Sequence, residues 1–282
     1  MINSYAYRRM VNSIFLFGAV GCAAACVGIL FFILAYIFVQ GVSYLSLDFL
    51  TGTPKPLGEV GGGVFNSIIG TIVMVGLATV IAVPVGLGAG IFVSEYAPPR
   101  LAATVRFVAD VMSGIPSIVV GLFIYLIIVV RAGHFSGYAG GIALAMIMLP
   151  IIARASEEML KLVPNSQREA ALALGIPQWR SIVSVVIPAA LPGITTGCLL
   201  AIARAAGETA PLIFTSLGSR FLTFSLNEDM DALPLRVYRY AIGPYDEWHD
   251  QAWAASLILV VLVLGFSILA RILVGGRGRE SR

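Results

Sequence analysis

Charge is scarce in this chain: 12% of its 282 residues are Asp, Glu, Lys or Arg, while 59% are hydrophobic. An ordinary soluble domain carries about 25% charged and about 45–50% apolar residues. A water-soluble fold of this composition could not cover its own surface, which excludes the soluble classes. Lysine is nearly missing, with only Lys55 after Pro54 and Lys161 after Leu160. The Gly-Lys-Ser/Thr step of a phosphate-cradling P-loop is therefore absent, and any ATP must be handled by a separate chain. The two histidines, His134 and His249, fit no metal-ligand spacing. Cys22, Cys26 and Cys198 all fall inside apolar stretches, where they read as small hydrophobes and say nothing about redox compartment. No metal, cofactor or nucleic-acid partner is expected.

Long apolar runs are what the chain has in abundance. About 20 apolar residues at about 1.5 Å each cross the roughly 30 Å hydrocarbon core of a bilayer. Residues 14–39, 65–93 and 253–270 contain no charge and read as spans. Residues 116–130, 138–153 and 183–217 are read as three more, although two are short and the third holds Arg204 and Glu208. The first run follows Arg8 and Arg9 like a secretory signal, but it exceeds the roughly 7–15 residues of a signal core. The expectation is an all-α integral membrane protein of six transmembrane helices.

Basic residues set the orientation, because Lys and Arg accumulate in the short loops on the cytoplasmic side. With a cytoplasmic N-terminus, the inside loops hold Arg8, Arg9, Arg100, Arg106, Arg154, Lys161, Arg168, Arg180, Arg271, Arg277, Arg279 and Arg282. The outside loops hold Lys55, Arg131, Arg220, Arg236 and Arg239, and Arg204 stays within a span, so the eighteen divide 12, 5 and 1. Both termini are expected to be cytoplasmic. The loop between the fifth and sixth spans, with Glu228, Asp229, Asp231, Asp246, Glu247 and Asp250, then faces outward. Its aromatic residues suit either docking of another protein or an interfacial belt.

The longest inside loop, 154–182, carries the most information. Ser166 and Glu169 form a capping-box pattern that starts a helix, and residues 167–174 are good helix formers. Gly175 suits the left-handed position past a helix end, and Pro177 bars simple continuation. So short a helix is marginal alone in water, so something must hold it, and a docked subunit would serve as well as the chain's own membrane domain. The segment EAALALGIPQWRSIVSVVIP resembles the EAA loop of ABC importer permeases: Glu169, Ala170 and Ala171, then Gly175, then Val185, Ile187 and Pro188 at the closing positions. In that family the short helix sits in a groove of the ATPase subunit. By resemblance, Glu169, Ala170, Ala171 and Gly175 are the ATPase-coupling contacts.

A charged residue inside a span is a functional hypothesis by default, since a central Arg costs roughly 2.5–3.5 kcal/mol on insertion scales. Arg204 and Glu208 stand at i,i+4, which places them on one helix face. Counted from Pro188, Arg204 lies about 24 Å along the fifth span, in its outer third. Its planar fork suits a tetrahedral oxyanion, and Glu208 could compensate it in the empty channel or accept a hydrogen bond from a protonated anion such as phosphate, whereas sulfate carries no such proton. A purely structural ion pair is the competing account.

The segment RAAGETAPLIFTS (204–216) resembles the phosphate-specific, PstA-type subgroup of these permeases. So do GLGAGIFVSEYAP (86–98), SGIPSIVVGLF (113–123) and MLPIIARASEEMLKLVP (148–164). The resemblance implies a type I ABC importer permease fold in a bacterial inner membrane. The implied partners are a second homologous permease, two ATPase subunits and a periplasmic phosphate-binding protein, with phosphate as cargo and no enzymatic activity in this chain. It divides the chain into an N-terminal helix and external loop (1–64), a permease core (65–274) and a tail (275–282). Pro84 and Pro116 with Gly86, Gly88, Gly90, Gly114 and Gly121 are expected to serve kinks and close packing. Arg154 reads as a charge anchor, with contact to departing phosphate as the alternative. A permease for sulfate or molybdate shares these features. An ion-coupled secondary transporter would need discontinuous helices in two matching halves, for which the sequence offers no repeat. A membrane enzyme built on Glu208 would lack a second catalytic group.

Overall fold

The computed structural model describes residues 4–56, 59 and 61–275; Arg277, Arg279, Arg282 and almost all of the tail lie outside them. The described residues form helices, with an isolated bridge between Leu217 and Met230. In order they are α1 (Ser4–Val42), α2 (Leu47–Thr51), α3 (Phe65–Ile91), α4 (Pro99–Gly114), α5 (Ser117–Ile124), α6 (Val130–Ala132) and α7 (Gly137–Lys161). Then follow α8 (Asn165–Ala173), α9 (Gln178–Ser181), α10 (Ile187–Ala206), α11 (Ala210–Thr215), α12 (Leu233–Ala241) and α13 (Asp246–Gly275). One-turn π segments, Phe92–Tyr96, Tyr125–Val129 and Ile182–Val186, extend α3, join α5 to α6, and join α9 to α10.

Five helical stretches are long and apolar enough to cross a membrane: Tyr7–Val42, Phe65–Tyr96, Gly137–Lys161, Gln178–Ala206 and Asp246–Ile268. The expected third span is different. It is the second arm of a pair, Pro99–Gly114 and Ser117–Ala132, bent by 99°, which makes a sixth span when counted together. Pro116 cannot donate to the preceding turn and disfavours helix at Ile115, so the chain breaks there. The fifth span also departs from expectation, since it begins at Gln178, directly after Pro177, and ends at Ala206. Gly207 to Thr209 interrupt it, and α11 is a separate short helix.

The core is the meeting of α3, α7 and α10. Met74, Ala78 and Ala82 of α3 bury against Leu144, Met148 and Ile152 of α7 and Ala201 and Ala205 of α10. Small residues set the spacing. A Cβ on Gly86 would lie 2.9 Å from the Ile152 side chain, and one on Gly90 would lie 2.6 Å from Ser156 Cβ, so a methyl at either site forces α3 and α7 apart. Gly121 likewise passes Pro211, whereas Gly88 and Gly114 face open space and take no part in packing. In contrast, α1 is exposed over almost its whole length, with Phe15, Phe17, Phe31 and Phe32 outward. Apolar on every side, it suits a hydrocarbon solvent, which does not drive such surfaces together. Near its C-terminal end Gly41 approaches the Trp253 carbonyl, and Tyr36 meets the Trp253 ring edge-on at 5.2 Å.

At the end of the bundle bearing α12, the acidic loop is partly internal. Asp231 and Arg236 are buried and paired, Arg236 Nε donating to Asp231 Oδ2 at 2.8 Å, with the Ser67 hydroxyl donating to the same oxygen. Arg236 Nη2 and Asn66 Nδ2 both donate to the Ser219 carbonyl, at 2.9 and 2.6 Å. This network pins the loop after α11 onto the start of α3. Burial raises the affinity of the Tyr240 phenol for its proton and lowers that of the neighbouring Arg239 guanidinium.

Candidate functional site

Two places gather functional side chains. The first is the end bearing α8. This helix begins at Asn165 after Pro164, two residues earlier than the capping-box pattern places it, and the Ser166 side chain makes no cap bond. Pro164 starts the helix instead, its fixed φ near −60° leading into the first turn. The other end follows expectation closely. Gly175 has φ +75, its N–H donates to Leu172 O at 2.9 Å, and the Ile176 N–H donates to Ala171 O at 3.2 Å. Those two bonds are the Schellman closure, which needs a left-handed residue.

Arg168 fastens α8 to the membrane body. Its Nη2 and Nε donate to the two carboxylate oxygens of Glu95 at 2.8 and 3.2 Å, and Nη2 and Nη1 reach the carbonyls of Leu160 and Val163 at 2.8 and 2.5 Å. Glu95 lies in the π segment that ends α3, and its side chain is only 7% exposed. The helix is thereby tied to both α3 and α7. Its Ala171 turns inward and is buried, while Glu169, Ala170 and Gly175 are exposed, as are Leu172, Leu174 and Trp179.

Beside it, Glu157 is buried and takes Arg106 at 2.5 Å, Arg154 at 3.2 Å and Lys161, while Arg154 also pairs with Asp110 at 3.1 Å. Arg154 is thus committed to α4 and its own helix. Arg106 to Glu157 and Asp110 to Arg154 hold the near arm of the bent pair against α7, while Arg154 and Lys161 reach Glu157 within α7 itself.

The second place is a recess of about 50 Å³ at the 99° bend. Met112, Ser113, Ile115, Ser117 and Val120 line it from the bent pair, Met146, Ile147 and Ile151 from α7, and Arg204 from α10. Arg204 occupies the last turn of α10, where a cation is favoured by the free carbonyls. Glu208 lies in the break beyond, so the pair does not share a continuous helix face. It remains in contact, with Nε to Oε1 at 3.5 Å, the outer limit of a hydrogen bond. The Arg204 side chain is 52% exposed and that of Glu208 16%. The guanidinium is therefore loosely held and available to the recess.

Comparison with known proteins places this arrangement. The profile of the family described as binding-protein-dependent transport system inner membrane component matches residues 82–276. The chain belongs to this family. As an inner membrane transport component it has relatives along nearly its full length. One from Yersinia pestis, named phosphate transport system permease protein PstA, is 45% identical over 95% of this chain and 91% of its own. One from Pasteurella multocida with the same name is 45% identical over 85% of this chain and 86% of its own. Among solved structures, a chain of the MetNI methionine ABC transporter in an inward facing conformation superposes with a TM-score of 0.65, covering 76% of this chain and 95% of that one at 20% identity. That likeness establishes the type I ABC importer permease fold.

The structure places Glu169, Ala170 and Ala171 on different faces of α8 with Gly175 just past its end, and brings Arg204 and Glu208 together at a helix break. Glu95, Arg168 and Glu157 are the residues that sequence reasoning passed over. Their partners lie 51 to 73 residues away in three of these contacts, and nothing local marks them. Ser113 and Ser117 stand in a segment noted for its resemblance, but only the bend shows that both border Arg204.

Proposed function

We propose that this transport component is the permease subunit of an ATP-driven phosphate importer, forming half of the translocation pathway. The observation that carries the reading is its 45% identity, over 95% of its length, to a protein named for phosphate transport. The fold and a half-exposed arginine bordering a recess among apolar side chains agree with it. The assembly comprises a second homologous permease, two ATPase subunits and a periplasmic phosphate-binding protein, with the permease core of this chain at 65–274. The chain itself performs no catalysis; ATP hydrolysis belongs to the separate subunit.

In this reading α8 and both termini face the cytoplasm and α12 faces the periplasm, in line with the excess of Arg and Lys on the α8 side. Arg204 meets the anion and Glu208 balances its charge when the pathway is empty. Glu169, Ala170 and Gly175 face the ATPase, and Ala171 supports the helix from beneath. Uptake of radiolabelled phosphate by cells carrying the complex should persist in excess sulfate or molybdate and vanish when the ATPase subunit is disabled. Loss of uptake to either competitor refutes the cargo, and uptake without ATPase activity refutes the class.

Docking and orientation share a test in Gly175→Val. No atom approaches the Gly175 position within 4 Å, so the substitution meets no steric obstacle and acts through its backbone alone. Forcing a left-handed conformation on an L-residue costs about 1–2 kcal/mol, more for a β-branched one. The helix end should fray, and copurification of the ATPase subunit should fall about tenfold, while Gly175→Asn, which tolerates φ > 0, stays near wild type. Equal ATPase recovery with Val and Asn would show that α8 is not the docking element.

A further inference from the structure

The recess at the bend holds two hydroxyls that the protein does not use. Of its lining side chains, Ser113, Ser117 and Arg204 are polar and the rest are Met, Ile and Val. Many hydroxyls in the spanning helices are occupied: Thr79, Ser184, Thr195, Thr196 and Ser256 each donate to the carbonyl four residues back, at 2.6 to 2.9 Å, whereas Ser156 of α7 is buried without a partner among the described residues. That back-bond is the ordinary way to satisfy a hydroxyl in an apolar setting. Ser113 and Ser117 have no hydrogen-bond partner among the described residues. The reason at Ser117 is the break: Ser113 is its i−4 residue, and the 99° turn at Ile115–Pro116 removes that carbonyl from reach. The bend therefore releases a donor that a continuous helix would have consumed, and aims it at the same space as the Arg204 guanidinium.

Size and setting agree. A single water needs at least about 10–15 Å³ of such space, so about 50 Å³ takes a few waters or one small ligand. Ser113 is exposed and Ser117 half-buried, so the hydroxyls, like the half-exposed Arg204, can be reached by a solute entering from outside. The break is braced from behind, because Gly121 of α5 lies against Pro211 of α11, and α11 begins just beyond Glu208. The helix interrupted at Ile115–Pro116 is thus packed, beside the recess, against the segment that follows the break at Gly207–Thr209.

We propose that Ser113 and Ser117 are ligands of the transported anion, each hydroxyl donating to an oxygen of a tetrahedral oxyanion held against Arg204. The proposal rests on the reading of Arg204 as a pathway residue and deepens it. A hydroxyl both donates and accepts, so the pair serves an oxyanion that carries a proton as well as one that does not. Arg204, a donor only, cannot make that accommodation.

The test isolates the hydroxyl from its shape. The paired variants Ser113→Thr with Ser117→Thr, and Ser113→Val with Ser117→Val, have nearly the same volume and differ in the two O–H groups. A third, Ser113→Ala with Ser117→Ala, keeps the recess open where a bulkier residue disturbs assembly. The complete complex is compared in membrane vesicles at equal amounts of assembled subunits, with radiolabelled inorganic phosphate as the probe. Losing two hydrogen bonds to a charged group should lower uptake at least about thirtyfold in the Val and Ala pairs. The Thr pair should stay within about threefold of wild type. Val or Ala pairs that transport as well as the Thr pair overturn the proposal. Wild-type vesicles that hydrolyse ATP yet accumulate no phosphate defeat the cargo reading beneath it, an outcome separate from any difference among the variants.

Discussion

Phosphate uptake should fall at least about a hundredfold when Arg204 and Glu208 are both replaced by Gln, with the complex still assembled at wild-type levels. The assembly half of that expectation comes from the geometry. The pair meets at 3.5 Å with a half-exposed guanidinium, and ion pairs of that kind contribute about 0–1 kcal/mol. The favourable placement of Arg204 at the end of α10 adds about 0.3–1 kcal/mol more, too little for its loss to unfold a helix packed against α7. The transport half comes from chemistry. A guanidinium donating a charge-assisted, bidentate pair to an oxyanion stabilises it by at least about 1.5–3 kcal/mol per bond, and about 1.4 kcal/mol is tenfold. Exchange of the two residues should fail equally, because it puts a carboxylate beside Ser113 and Ser117. Arg204→Lys keeps the charge but loses the fork and should retain partial uptake. Wild-type uptake by the well-assembled neutral double variant would reduce Arg204 and Glu208 to structural residues. This result is independent of the hydroxyl test, which leaves the guanidinium in place.

Elements whose determinants are local were readable from the residues alone. The apolar runs at α1, α3 and α13 were long and uncharged, and the left-handed Gly175 followed from a glycine after a run of helix formers and before Pro177. Elements that depend on where a helix breaks were less so. α4 escaped notice because Arg100, Arg106 and Asp110 interrupt its apolar residues, so it looked like a loop preceding a span. The break at Gly207 has no local signal in the spacing of Arg204 and Glu208, which is that of a helical pair even though no helix runs through both. Ser166 and Glu169 match a capping box in type, yet Pro164 starts the helix first and leaves them inside it. The sites themselves required tertiary contact. Ser113 and Arg204 are 91 residues apart, and only the bend in one helix and the end of another make them neighbours.

Asp231 belongs to the acidic loop between the last two spans, yet among the described residues it is the most buried carboxylate at its end of the bundle, and that gives it a structural role. Its side chain is fully covered and that of Arg236 is 4% exposed. Together with Ser67, Asn66 and the Ser219 carbonyl they join α3, α12 and the loop after α11. Arg236 also lies over the Tyr240 ring at 5.3 Å. Breaking such a pair is costly because the remaining charge is left buried and unpaired, about 3–5 kcal/mol, whereas exchange of both members for apolar residues of similar volume is often neutral. Arg236→Met should therefore lower the unfolding midpoint of the purified chain by on the order of 10 °C, since about 1 kcal/mol moves a chain of this size by about 2–4 °C. Asp231→Leu should do the same by stranding the guanidinium. The double variant Asp231→Leu with Arg236→Met should recover most of the loss, because neither charge remains. It should not recover all of it, since Ser67 and the Ser219 carbonyl each lose a partner. Midpoints within a few degrees of wild type for both single variants would mean that water reaches the pair and that the loop is not pinned to α3. A double variant no better than the singles would mean that the hydrogen bonds to Ser67 and Ser219, more than the charge pairing, hold this end of the bundle together.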